Sequence, residues 1–152
     1  MLKRIMATRA PTATLLIRLA VGAVFLSEGI QKFLFPADVG AGRFAKIGLP
    51  SPEALAPFVG SFEMACGALV LLGLVTRFAV IPLLVIITTA ICTTKIPILL
   101  NSGIWKMAHE ARTDFAMFLS LLFLLLVGAG KWSIDGRLTK NKMAAQVATI
   151  NT

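Results

Sequence analysis

The run Phe115-Ala-Met-Phe-Leu-Ser-Leu-Leu-Phe-Leu-Leu-Leu-Val-Gly-Ala-Gly130 carries no charged side chain. It belongs to the last of four apolar stretches, at about 14–35, 57–75, 78–97 and 114–130. Each is near the ~20 residues an α-helix needs to cross the hydrocarbon core of a bilayer. No water is available there, so a crossing segment must satisfy its own backbone, as a helix does. The stretches therefore predict an all-α integral membrane protein, an antiparallel four-helix transmembrane bundle formed by residues 1–138. Residues 139–152 read as a basic cytoplasmic tail.

Composition supports that class. Hydrophobic residues make up 57% of the chain and charged ones only 14%, whereas soluble domains are nearer 45–50% apolar. The net charge of +8 would suggest nucleic acid in a soluble protein. Here the basic residues lie mostly between and beyond the apolar stretches, with no basic stripe interleaved by aromatics, so no nucleic-acid partner is expected. Attraction to a lipid membrane is the better reading. Lys3, Arg4, Arg9, Arg77, Lys131, Arg137, Lys140 and Lys142 fall on one side of the four spans. Arg43, Lys46, Lys106 and Arg112 fall on the other. The larger group marks the cytoplasmic side and puts both termini there. The start, Met-Leu-Lys-Arg, reads as the flank of an uncleaved first helix.

Segment 36–56 reads as a loop with an interfacial helix, Thr76-Arg77 as a tight turn, and 98–113 as a mixed connection. Cys66 and Cys92 lie in apolar runs without a Cys-x-x-Cys spacing and read as small hydrophobes. His109 is the single histidine, so no metal site is expected. No phosphate loop, nucleophile elbow or zinc motif encodes a cofactor.

The first span nevertheless contains Glu28 and Lys32. A charge at the centre of a spanning helix costs about 2.5–3.5 kcal/mol on insertion scales. Arg18, Gly22, Phe25, Gly29 and Lys32 recur at spacings of four and three, so they share one face. Gly22 and Gly29, with Gly67 on the second span, are candidate helix-packing positions. Given the orientation above, Glu28, Lys32, Glu63, Lys95 and Asp114 all fall in the outer layer. They are expected to surround one polar ligand pocket, in which Glu63 pairs with Lys32 or Lys95. A purely structural ion-pair network that sets helix register is the competing expectation. Thr88 and Cys92 share a helical face with Lys95; residues placed so are most often packing positions, and lining the same pocket is the alternative. Arg18 and Arg77 lie near the cytoplasmic ends and are expected to snorkel.

The ordered set of Arg18, Gly22, Phe25, Gly29 and Lys32, then Gly48-Leu49-Pro50, Glu63-x-x-x-Gly67 and Gly73-x-x-Thr76-Arg77, resembles the DoxX family of small four-helix membrane proteins. Gly128-Ala-Gly-Lys-Trp-Ser-Ile-Asp135 is similar to that family's Gly-Pro-Gly-x-x-Ser-Leu-Asp, with Ala129 in place of the usual proline. Asp114 stands where the family pattern leads one to expect glutamate. The resemblance covers nearly all of residues 14–138. It implies a multi-pass protein of a bacterial or archaeal cell membrane. Some members of the family are membrane subunits of a thiosulfate:quinone oxidoreductase.

The expected function is therefore a membrane subunit that binds a quinone or another lipophilic small molecule. A redox-protein partner or a homo-oligomer would complete it. A non-catalytic scaffold or assembly subunit, or a small-molecule transporter, is the alternative. Segment 128–135 is expected to be a structural helix exit, with Ser133 or Asp135 capping locally and Arg77 as a partner for the acid.

Overall fold

A computed structural model describes residues 12–140. The expectations for Lys3, Arg4, Arg9, Lys142 and the tail beyond residue 140 lie outside the described residues. Among the described residues every regular element is helical and none is a strand. The order is α1 (Thr14–Leu34), α2 (Ala41–Lys46), α3 (Pro52–Leu72), α4 (Thr76–Ala90), a π-turn (Ile91–Lys95), α5 (Ile96–Ser102) and α6 (Ile104–Val127). Residues 134–140 are again helical. Among the described residues three helices are long and apolar enough to cross a membrane: Thr14–Leu34, Pro52–Leu72 and the continuous Thr76–Ser102.

Helix ends differ from the apolar runs wherever hydropathy and backbone bonding part company. α3 begins at Pro52, not near Pro57, because a proline at the first helical position has no amide to lose. The third long helix continues past Pro97 to Ser102 through the π-turn. Pro97 has no amide to donate and its ring crowds the preceding turn, and a wider turn before it relieves both. α6 begins at Ile104, well before Asp114. Residues 104–113 are mixed, with Lys106, His109, Glu110, Arg112 and Thr113 among apolar ones, but they include Lys, Met, Ala, Glu and Arg, which are good helix formers. Polarity there marks the edge of the apolar region and not the end of the helix. At the other end α6 stops at Val127, because Gly128 and Gly130 turn to positive φ. The loop 36–56 contains α2, whose Ala41 and Phe44 pack on Ala56 of α3.

One core joins all the long helices. Val21 and Phe25 of α1, Cys66 and Val70 of α3, Val80 and Leu83 of α4, and Leu121 and Leu124 of α6 are buried together. The outward faces carry large apolar groups, including Leu16, Phe58, Val85 and Leu126, each more than half exposed. Facing lipid, these groups cost nothing.

α1 and α3 run antiparallel in close contact. A Cβ on Gly22 would stand 2.9 Å from the Gly67 carbonyl oxygen, and one on Gly29 would stand 2.7 Å from that of Gly60. The obstacles include backbone, which cannot swing aside. Gly29→Val is accordingly expected to destabilise the chain by about 2–3 kcal/mol, as overpacking does. Thermal melting in detergent, followed by circular dichroism, checks this. An unchanged midpoint would mean that the two helices separate without cost.

Candidate functional site

The close approach of α1 to α3 places Lys32 against Glu63. Their Nζ–Oε2 distance is 2.6 Å, and the two side chains are only 8% and 5% exposed. Glu28, one turn before Lys32, stands 3.9 Å from the same ammonium with its side chain 48% exposed. The three groups therefore form a buried ion pair with a second carboxylate at its open edge. A buried ammonium held between two carboxylates can donate to a carbonyl oxygen. The half-exposed carboxylate can exchange a proton with a molecule arriving at that edge.

Lys95 and Asp114 form a second pair, at 3.1 Å, between the π-turn and α6. Among the described residues no ion pair links the two groups. Five residues predicted around one pocket are thus held in a trio and a pair. Thr88 and Cys92 both lie exposed, so neither is a buried packing position. A straight α-helix would have kept them on one face with Lys95. The π-turn, Ile91–Lys95, contains both Cys92 and Lys95 and inserts extra chain per turn, so the straight-helix register does not carry through it.

The opposite end of α1 holds a constellation that sequence reasoning assigned to the surface. Arg18 does not snorkel. It is 2% exposed, and its guanidinium bonds four carbonyls. Nε donates to Val70 at 3.0 Å and Nη2 to Leu71 at 2.7 Å, while Nη1 donates to Ala129 at 3.0 Å and Trp132 at 2.8 Å. Val70 and Leu71 lie in the last turn of α3, where helical partners run out; the Val70 carbonyl also accepts from the Gly73 amide at 3.1 Å. One planar fork thus ties the end of α3 to the chain leaving α6. Gly73 makes room for it: a Cβ there would lie 2.7 Å from the Arg18 Cζ, and its φ of +68° favours glycine. Arg18 shared the Gly22–Phe25 face in the sequence, and that inward register was the available signal.

Asp135, 4% exposed, accepts from the amides of Val75 at 2.9 Å and Thr76 at 3.2 Å, and so caps α4. This cap starts α4 at Thr76, so the turn falls at 73–75 and not at Thr76-Arg77. Ser133 Oγ donates to the Gly130 carbonyl at 2.5 Å and accepts from the Gly136 amide at 3.0 Å. The expected local capping is present for Ser133, whereas Asp135 reaches across the fold to the start of α4 and does not cap its own segment. The Arg77 guanidinium donates to the Leu126 carbonyl of α6 at 2.8 Å.

Residues 13–96 match the DoxX family model. The chain belongs to the DoxX family. The matched segment of this DoxX protein contains Arg18, the Glu28–Lys32–Glu63 trio and Lys95, and it ends before Asp114 and the 128–135 exit. It is 48% identical over 147 residues to the uncharacterized membrane protein Rv3486 of Mycobacterium tuberculosis (strain ATCC 25618 / H37Rv), covering 93% of this chain and 90% of the relative. It is 29% identical over 135 residues to CatD of Bacillus subtilis (strain 168), provisionally named an oxidoreductase, covering 89% of this chain and 93% of the relative. No solved structure matches it.

Proposed function

We propose that this DoxX protein is a membrane subunit that binds a quinone, or a lipophilic molecule with a similar carbonyl head, at Glu28, Lys32 and Glu63. One observation carries the reading: a Lys32–Glu63 pair with both side chains buried and a half-exposed third carboxylate at its edge. Saturated ion pairing needs only one acid. The second supplies a group that can pass a proton, and intramembrane ionisable groups are functional candidates by default. A quinone becomes a quinol by taking up two electrons and two protons. Lys32 would polarise the carbonyl oxygen, and Glu28 would deliver both protons in turn, taking up the second from water at its open edge after passing on the first. The electrons would come from a redox-protein partner, because no side chain of the trio is a redox centre. The similarity to CatD supports an oxidoreductase setting.

The reading includes α6 as a fourth crossing helix in a four-helix transmembrane bundle of a bacterial or archaeal cell membrane. Both termini are cytoplasmic, and the trio sits in the outer half. The basic-residue asymmetry supports this orientation. So does the antiparallel course of α6 beside the third long helix, where Arg77 meets Leu126 and Lys95 meets Asp114.

Lipid extraction of the purified chain, followed by mass spectrometry, tests the binding. The parent is expected to carry a quinone. Glu28→Gln is expected to lose it at least tenfold, the scale of one proton-transfer or charged contact, with no change in melting, because the buried pair survives. Lys32→Met is expected to lose it entirely. A parent that carries no quinone yet co-purifies with a protein partner would instead make this chain a scaffold. In the same membranes, a thiol placed at position 140 should react only from the cytoplasmic side.

A further inference from the structure

The Arg18 end of the molecule carries an open cavity of about 470 Å³ whose lining includes Lys131, Arg137 and Lys140. No acid lines it. The acid of this segment, Asp135, is buried, and its carboxylate is committed to the amides of Val75 and Thr76. None of the three cations is ion-paired among the described residues. Three like charges around one space repel one another, and an anion seated among them converts that repulsion into attraction.

The apolar part of the lining identifies the anion further. Leu15 stands in the first turn of α1 and Leu72 ends α3. Both are ends of helices long and apolar enough to cross a membrane, so this wall continues into the hydrocarbon. Trp132, 67% exposed, adds an amphipathic ring of the kind that sits at headgroup depth. The floor is rigid, because Arg18 holds the Trp132 carbonyl and Ser133 bonds both Gly130 and Gly136. The basic residues lie beyond the segment matched by the family model.

We propose that this cavity binds the phosphate diester head of an anionic phospholipid, with its acyl chains running over Leu15 and Leu72. Basic pockets between helix ends hold such heads in membrane proteins, and each cation near the surface contributes about a fivefold gain in binding. The site is separate from the Glu28–Lys32–Glu63 trio and does not depend on its function.

The full chain in nanodiscs of mixed phosphatidylglycerol and phosphatidylcholine provides the test, read as lipid retained in native mass spectrometry. The parent is expected to retain phosphatidylglycerol preferentially. The triple variant Lys131→Gln, Arg137→Gln, Lys140→Gln is expected to lose that preference, by about fivefold for each cation removed. Lys131→Arg with Lys140→Arg is expected to keep it. Should the triple variant fold poorly, the parent alone still decides, because its preference should fall as salt is raised. Equal retention of the two lipids by the parent, or an undiminished preference in the folded triple variant, overturns the proposal. A titration of delipidated protein with inorganic phosphate, followed by tryptophan fluorescence, separates the sources. Saturable binding as tight as that of the lipid would assign the site to soluble phosphate and overturn the lipid assignment.

Discussion

Arg18→Met is expected to destabilise the chain by roughly 3 kcal/mol or more, at about 1–3 kcal/mol for each buried acceptor left unsatisfied. The reason is the number of acceptors left behind. Val70, Leu71, Ala129 and Trp132 each present a carbonyl to this one guanidinium. Methionine fills the volume and bonds none of them, so several buried acceptors pay the cost of desolvation unmatched. Arg18→Lys is expected to recover only part of the loss. A single ammonium on a flexible stem cannot span two helix ends as the planar fork does. Chemical or thermal unfolding in detergent measures both variants. If Arg18→Met matches the parent, water reaches these carbonyls and Arg18 is a surface residue after all.

The second large effect is expected at Glu63. Glu63→Leu leaves the Lys32 ammonium, 8% exposed, without its partner at 2.6 Å, and Glu28, at 3.9 Å and half-exposed, compensates it only in part. A loss of about 3–5 kcal/mol follows from breaking a buried pair on one side only. Glu63→Gln is expected to cost less, because its amide oxygen still accepts from Lys32. The double variant Glu63→Leu with Lys32→Met distinguishes a pair kept for stability from one kept for function. Replacing a whole buried pair by apolar groups is often neutral, so the double variant is expected to regain most of the stability while remaining unable to hold a quinone. A double variant as unstable as Glu63→Leu alone would show that the charge on Lys32 is not what the loss reports.

Glu63 illustrates how far local reasoning reaches. An acid in an otherwise uncharged span demands a cation, and Lys32 and Lys95 were the candidates at the same depth. The choice of Lys32 follows from the contact of Gly22 and Gly29 with Gly67 and Gly60, which brings α1 against α3. Lys95 was drawn elsewhere because the π-turn before Pro97 changes which way it faces, and α6 brings Asp114 to it. A helical wheel drawn at 3.6 residues per turn contains no π-turn, so it put Lys95, Thr88 and Cys92 on one face.

Arg18 marks the same boundary from the other side. Its depth near the end of a span suggested an exit to water, and depth is all that hydropathy measures. Its actual acceptors are 52 to 114 residues away in the chain, on segments that meet only when the helices have packed. The amino-acid sequence by itself determined the helical membrane class, the long apolar helices, the glycine-lined face of α1 and the need of each buried charge for a partner. These follow from composition and period, which are properties of neighbours along the chain. The tertiary structure alone decided which charge meets which, that Arg18 turns inward to join two helix ends, and that α6 extends back past Asp114 to Ile104. Those outcomes depend on the register between helices, and register is set by surfaces contributed from distant parts of the chain at once.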